Sequence, residues 1–219
     1  SHGLDNNGVG NKSSAYDMAL LTKVAMQNDT FRSIFGSRNY KASSNLKDYV
    51  WAGKNKLFSM YEYTTGGKTG YTMAAHKTLV TTASKDNKNL VVVTLNDSND
   101  FIDHKNLYEK YFKEYEAVLA LDKNNFKVDN NQYKNTELYI KKEYYALVKE
   151  NEKNDLKVNI NLYKYDNVYN DMKIGEAKVL LKDEVLHTES IYLKKIEEKQ
   201  VKKEKKSLWQ RIIGWFKKW

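Results

Sequence analysis

The 219-residue sequence contains neither cysteine nor proline. Without cysteine, disulfide bonds, thiol catalysis and thiolate metal sites are excluded. Without proline, turns depend on Gly, Asn and Asp. The first residues lack the regions of a signal peptide, and no run of about 18 apolar residues could span a bilayer. The four histidines show no metal-ligand spacing and no Gly-rich phosphate loop occurs, so we expect neither a metal nor a cofactor.

The positive charge is concentrated at one end of the chain. The net charge is +9, from 37 basic and 28 acidic residues. Ten basic and three acidic residues lie between Lys194 and Trp219, which leaves 27 basic and 25 acidic residues in the rest. A nucleic-acid-binding protein more often spreads a basic stripe over its folded surface, so this class is disfavoured. With 41% hydrophobic and 13% aromatic residues, the near-neutral remainder is predicted to be globular.

The first half of the chain has the pattern of an α/β body that ends near Tyr115. Ser14 to Asp17 resembles a capping box, and apolar residues at helical spacing predict a helix over about 14–27. The segment that begins at Lys68 and the runs 78–84 and 89–96 predict an antiparallel meander of three strands. A second apolar stripe predicts a helix laid against this sheet; its residues are His104, Leu107, Tyr108, Tyr111, Phe112 and Tyr115.

A different pattern begins at about residue 120. The segments 137–149, 156–165 and 177–195 alternate Val, Ile, Leu and Tyr with polar residues and are separated by Asn, Asp and Lys turns. This pattern predicts a small all-β domain, interpreted as a sandwich. The predicted organisation is therefore an α/β domain over 1–115, a β domain over 116–196, and a basic linker with a terminal helix over 197–219.

The last thirteen residues are strongly amphipathic. At about 100° per residue, all the large apolar side chains fall within one arc of about 160°. These are Leu208, Trp209, Ile212, Ile213, Trp215, Phe216 and Trp219. Such a helix is about 20 Å long, too short for a hydrocarbon core of about 30 Å, so we expect it to lie in the interface of an anionic membrane. A helix packed on its own protein is the alternative, but three of the four tryptophans lie here, behind a lysine-rich spacer.

The segment Gly66-Gly67-Lys68-Thr69-Gly70-Tyr71-Thr72 carries a resemblance to a known family. On a strand followed by a β-meander, Lys-Thr-Gly resembles the third conserved box of penicillin-binding proteins and serine β-lactamases. Upstream, His2-Gly3-Leu4 and Ser13 to Ala19 are similar to the "HGL … SSAYD" stretch of D-alanyl-D-alanine carboxypeptidases. The resemblance implies part of a transpeptidase/β-lactamase-like α/β domain, followed by the small β domain and the amphipathic helix.

The resemblance also implies roles for five residues. The substrate peptide would lie antiparallel along the strand edge from Lys68 to Thr72, with the Lys68 ammonium and the Thr69 hydroxyl near its terminal carboxylate. Gly70 would let the substrate backbone come close. Tyr71 and Thr72 would extend the strand past the oxyanion hole. Lys68 is thus the one catalytic residue that we assign, and all five are assigned to substrate binding.

The family's nucleophile and base lie in a Ser-x-x-Lys box and a Ser-x-Asn box that precede the "HGL" stretch. Within this chain, Ser44-Asn45-Leu46-Lys47 fits the first pattern, and Ser37-Arg38-Asn39 and Ser43-Ser44-Asn45 fit the second. All stand after "HGL", in the wrong order, and are interpreted as coincidences. We therefore expect this chain alone to be inactive. The sequence has Asp103-His104-Lys105 where many members carry an arginine, and His104 is predicted to be packed in the core.

Two function classes stay open at this point. In the first, the parent protein removes the terminal D-alanine from peptidoglycan stem peptides through an acyl-enzyme, binds β-lactam antibiotics at the same serine, and is held at the outer face of the cytoplasmic membrane. In the second, the chain is a non-catalytic, membrane-associated module that binds the cell wall. The first class predicts an exposed apolar surface, because in this fold the central sheet is built from both chain ends.

Overall fold

A computed structural model describes residues 10–129 and 131–195. The predicted amphipathic helix within 197–219 and the His2-Gly3-Leu4 segment lie outside the described residues. The chain divides into two compact units. Among the described residues, the first unit contains residues 10–122, 142–159 and 178–188, and the second contains residues 123–129, 131–141, 160–177 and 189–195. The predicted domain boundaries at 115 and 196 stay predictions.

Four α-helices, one short 3-10 helix and eleven strands occur in the described ranges. The helices are α1 (Ala15–Ala25), α2 (Asp29–Phe35), α3 (Leu57–Met60), α4 (Asp100–Glu114) and the 3-10 helix (Glu150–Asp155). The strands are β1 (Asn39–Ser43), β2 (Asp48–Ala52), β3 (Thr64–Thr72), β4 (His76–Lys85), β5 (Lys88–Leu95), β6 (Glu116–Leu121), β7 (Thr136–Ile140), β8 (Tyr144–Val148), β9 (Leu156–Leu162), β10 (Lys173–Leu181) and β11 (Glu184–Lys195).

Helix α1 starts where its cap predicts. The Ser14 side chain accepts a hydrogen bond of 3.0 Å from the Asp17 N–H, which satisfies one of the free donors of the first turn. The helix is apolar on most of its surface. Thr22 is buried, whereas Tyr16, Leu21 and Val24 are 71%, 60% and 63% exposed. The helix therefore leaves several large apolar side chains exposed.

The predicted meander is confirmed. Strands β3, β4 and β5 form an antiparallel sheet in that order. The connection between β4 and β5 consists of Asp86 and Asn87, both with positive φ (49° and 60°). Positive φ at both central positions is typical of a type I′ hairpin, and Asp and Asn tolerate it better than most residues. The turn chemistry therefore sets the register of the two strands.

Helix α4 packs on one face of this sheet, as predicted. A core cluster joins the helix to α3 and β4; its buried members are Leu57, Tyr61, Ala83, Tyr108 and Phe112. The rings of Tyr61 and Tyr108 stack with centroids 5.5 Å apart. The buried Lys88 donates hydrogen bonds to the carbonyls of Phe112 (2.6 Å) and Tyr115 (3.2 Å). A lysine therefore closes the C-terminus of α4, where carbonyls lack helical partners.

The stretch between α1 and β3 contains elements that the sequence did not predict. Helix α2 begins at the Asn28 cap, whose side chain accepts from the Phe31 N–H. An antiparallel hairpin of β1 and β2 follows, and its cross-strand aromatic pair Tyr40 and Trp51 stacks with centroids 6.1 Å apart. Cross-strand aromatic pairs stabilise isolated hairpins.

Strands occupy the segments predicted to be β after residue 120. In the first unit, β6 pairs with β8 antiparallel. The second unit takes part in a sheet of order β7-β11-β10-β9, in which residues 191–195 of β11 pair with residues 136–140 of β7. The strand content is confirmed, and the arrangement as a sandwich stays a prediction.

Candidate functional site

The five predicted site residues all lie on β3. Their partners on β4 run in strict antiparallel register: Lys68 with Val80, Thr69 with Leu79, Gly70 with Thr78, Tyr71 with Lys77, and Thr72 with His76. Within the described ranges β3 pairs with β4 alone. The opposite edge of β3 therefore has backbone groups available for an added peptide strand. The motif thus lies on an edge strand, and the roles of its residues stay predictions.

Lys68 and Thr69 are neighbours on a strand, so their side chains project from opposite faces of the sheet. Lys68 is exposed, and its Nζ donates a hydrogen bond of 2.5 Å to the Thr69 carbonyl. Thr69 is half-buried. A carboxylate at the free edge of β3 would thus meet an ammonium on one side of the sheet and a hydroxyl on the other.

Gly70 has a packing role that the sequence did not reveal. A Cβ placed on Gly70 would lie 2.4 Å from the Thr78 Oγ1 on the paired strand. That distance is far below van der Waals contact, so even alanine would displace Thr78. The prediction explained this glycine by the approach of a substrate; the structure adds a steric requirement within the sheet. Thr78 is therefore a site neighbour that sequence reasoning missed, since the pairing register brings the two residues together.

The glycine pair before the motif is explained by packing as well. A Cβ on Gly66 would lie 2.3 Å from the Phe35 ring of α2. The register of β3 shifts between Thr64 and Gly66, which places an extra residue in the strand. Beside this bulge, the Thr65 hydroxyl donates to the Thr82 hydroxyl at 2.8 Å. Helix α2 and the bulge therefore hold the start of the candidate strand in place.

A buried polar network supports the sheet from the α4 side. His104 is fully buried, with Nδ1 2.7 Å from the Thr81 hydroxyl and Nε2 3.1 Å from the Thr94 hydroxyl. Thr81 also hydrogen-bonds with the Tyr108 hydroxyl at 2.8 Å. Burial lowers the pKa of His104 to about 4, although the carboxylates of Asp100 and Asp97 act in the opposite direction. The prediction of a packed histidine is confirmed.

The serine of the internal Ser-x-x-Lys match lies in the turn between β1 and β2. The Ser44 Oγ accepts from the N–H groups of Leu46 and Lys47, both at 3.2 Å, and donates to the Lys47 carbonyl at 3.2 Å. The Ser44 side chain thus makes hydrogen bonds to the backbone within the turn. It does not stand at the start of a helix, where the family has its Ser-x-x-Lys serine. The location supports the interpretation of the match as a coincidence.

The described residues also lack a metal-binding cluster and a membrane-spanning helix. Between residues 10 and 195, apart from residue 130, no group of three or more His, Asp or Glu side chains is placed to hold a metal ion. In the same part of the chain, no helix is both long and apolar enough to cross a membrane.

Known proteins match the region of the chain that contains the candidate strand. Residues 1–99 match the family model described as D-alanyl-D-alanine carboxypeptidase. The chain is 32% identical over 93 residues to the D-alanyl-D-alanine carboxypeptidase DacB2 of Mycobacterium tuberculosis. The aligned region covers 42% of this chain and 32% of that protein. It is 31% identical over 90 residues to the D-alanyl-D-alanine carboxypeptidase DacF of Bacillus subtilis, and this alignment covers 41% of this chain and 23% of that protein. The predicted resemblance is confirmed for this region.

The fold comparison extends further along the chain. The structure is similar to that of penicillin binding protein 5 from Haemophilus influenzae, with a TM-score of 0.59 and 18% identity over 89% of this chain and 59% of that chain. At this identity the likeness concerns the fold. The matches span about a third or less of the length of the two curated relatives.

Proposed function

Starting from the similarity of residues 1–99 to the D-alanyl-D-alanine carboxypeptidases, we propose that this chain belongs to a serine peptidase of peptidoglycan maturation. The protein removes the terminal D-alanine of stem peptides through an acyl-enzyme, and β-lactams acylate the same serine. Its nucleophile lies outside these 219 residues, and no cofactor takes part. The observation that carries the proposal is the Lys68-Thr69-Gly70 strand at the open edge of the meander, inside the matched region.

The strand supplies binding and charge rather than the nucleophile. A peptide laid antiparallel on β3 exchanges backbone hydrogen bonds with the strand and delivers its C-terminal carboxylate to Lys68 and Thr69. The Tyr71 N–H is the backbone donor proposed for the oxyanion. A fixed donor at this point stabilises the tetrahedral intermediate because it needs no reorientation when charge develops.

The test is the intact mass after incubation with excess benzylpenicillin. We expect no covalent adduct on the 219-residue chain and a stoichiometric adduct on the longer gene product that contains it. In the longer protein, Lys68→Met should slow acylation about 100-fold, the usual scale for loss of one electrostatic contact to the transition state. Lys54→Met, at an exposed site outside the strand, is the matched control. An adduct mapped to Ser44 would refute the assignment of the nucleophile.

The same proposal places the protein on the outer face of the cytoplasmic membrane through the amphipathic residues 208–219. This part rests on the sequence pattern. Sedimentation with vesicles that contain anionic lipid tests it. Ile212→Glu puts a charge on the apolar face and should reduce binding at least about tenfold. Gln210→Glu makes the same charge change on the polar face and should have a much smaller effect. Equal losses in the two variants would contradict insertion of the apolar face.

A further inference from the structure

An open cleft lies at the end of the meander where β3 begins and β4 ends. Its volume is about 800 Å³. Its walls come from α3, from the residues that lead into β3, from the last residue of β4 and from one face of α4. All of them belong to the first unit, and residues 68–72 do not line the cleft. Small-molecule sites usually enclose most of the ligand surface, whereas an open cleft of this size suits a short peptide segment.

One wall of the cleft is aromatic. Its rings are those of Phe58, Tyr61, Tyr63 and Phe112. The Tyr61 ring stacks with Phe112 at 6.5 Å between centroids and meets the Tyr63 ring edge-on at 5.5 Å. Tyr61 and Phe112 are also members of the buried core cluster. The wall is therefore held by core packing, and an apolar group of a ligand can be covered there without rearrangement of the protein.

Tyr61 adds an unused hydrogen-bond donor to this wall. Its side chain is only 8% exposed, and its hydroxyl has no hydrogen-bond partner among the described residues. Within the same residues, only the Asn55 Nδ2 atom is both unpartnered and sealed from solvent, so the Tyr61 hydroxyl is accessible and opens into the cleft. Burial raises the pKa of Tyr61, so the hydroxyl stays protonated at neutral pH. An acceptor on a ligand would satisfy this donor.

The cleft has an excess of positive charge. Four basic and two acidic side chains line it, which gives a net charge of +2. Lys105 and Glu109 form an ion pair at 3.7 Å. Arg38, Lys85 and Lys113 make no ion pair in the part of the chain that the structure describes. Three cations are thus available to negative groups of a ligand.

Two of these cations are held above aromatic rings. The guanidinium carbon of Arg38 lies 4.9 Å from the centroid of the Phe58 ring, and the Lys85 Nζ lies 4.6 Å from that of Tyr63. This attraction positions a cation without using its hydrogen-bond donors, which remain free for an anion. Glu62, the second acidic residue of the cleft, is exposed and opposes a negative ligand. The occupant therefore needs more than one negative charge.

We propose that this cleft docks an acidic peptide segment of a partner protein, with an apolar side chain of the segment against the aromatic wall. Carboxylates of the segment pair with Arg38 and Lys85, and the Tyr61 hydroxyl donates to an oxygen of the segment. Charge complementarity selects the acidic segment, and the aromatic wall selects its apolar side chain. The inference goes beyond the proposed function and does not depend on it.

Fluorescence anisotropy of labelled peptides tests the docking, with the longer gene product that contains this chain. The first peptide has two glutamates on each side of a phenylalanine. The second replaces the glutamates with glutamine, and the third replaces the phenylalanine with alanine. We expect the first to bind saturably and about tenfold more tightly than the second, the scale of two partly exposed ion pairs. The third should bind about tenfold more weakly than the first. Equal affinities of the first two peptides would overturn the proposal.

A pair of lysine variants separates docking from general attraction between charges. Lys85→Gln should weaken binding of the first peptide about fivefold. Lys47→Gln is the matched control, because the Lys47 Nζ also lies over an aromatic ring, 4.8 Å from the centroid of Tyr49, but in the turn between β1 and β2 and outside the cleft. Both variants lose the same charge. Equal weakening by the two would show a non-specific attraction and would contradict the proposed site.

Tyr61→Phe tests the hydroxyl without disturbing the wall. Because this hydroxyl has no partner among the described residues, the variant should keep the Tm of the wild type and bind the first peptide about threefold more weakly. Unchanged affinity would remove the hydroxyl from the site. Displacement of the peptide by millimolar inorganic phosphate, but not by sodium chloride at the same ionic strength, would identify a site for small anions and overturn the choice of a peptide.

Discussion

Lowering the pH should destabilise this protein through His104. The side chain is fully buried between Thr81 and Thr94, and burial lowers its pKa from 6.5 to about 4. The unfolded chain therefore takes up the proton more readily than the folded chain does. The contribution of the neutral imidazole to stability is complete above pH 6.5 and is lost as the pH falls from there towards 4.

The size of the effect follows from the two pKa values. Proton linkage gives a loss in the free energy of unfolding of about 2 kcal/mol at pH 5 and about 3 kcal/mol at pH 4, relative to pH 7.5. This is a large share of the 5–15 kcal/mol that is typical of a whole domain. Carboxylates such as Glu114 and Glu116, whose pKa values are lowered by hydrogen bonds with Lys149 and Lys153 respectively, act in the same direction.

The assay is urea unfolding between pH 7.5 and 4, followed by far-UV circular dichroism. His104→Gln keeps a polar side chain but removes the titration, so the carboxylates act equally in the variant and the wild type. We expect the stability difference between the two proteins to shrink by about 2 kcal/mol between pH 7.5 and 5. Parallel pH profiles would show that the imidazole is accessible to protons in the folded state and would refute the reasoning.

The remaining predictions concern single contacts. Gly70→Ala should destabilise by about 1–3 kcal/mol through its clash with Thr78, and addition of Thr78→Ala should restore stability in thermal melts; failure of this rescue would refute the steric account. Lys88→Met removes the ammonium that closes α4 and should cost about 1–2 kcal/mol, whereas Lys54→Met should be neutral in the same urea titrations. Ser14→Ala should cost about 1 kcal/mol by loss of the α1 cap, and faster amide exchange at residue 17 reports it.

Local patterns along the chain predicted much of the fold. The cap at Ser14, the paired strand runs 78–84 and 89–96, and the apolar stripe that contains His104 each depend on neighbouring residues, and each lies where expected. Helix α2 and the β1–β2 hairpin were missed, because short elements in a mixed stretch leave a weak periodic signal. The placement of the sandwich and the anchor stays a prediction.

The sequence by itself determined the chemical character of the candidate site. Lys68, Thr69 and Gly70 stand consecutively, so a resemblance to the family is visible without coordinates, and the match over residues 1–99 confirms it. Only the tertiary structure decided which residues surround the motif. Thr78 and Phe35 are distant from it along the chain, and strand pairing and helix packing bring them to β3. Those contacts arise from register and packing, which depend on the whole sheet rather than on any local pattern.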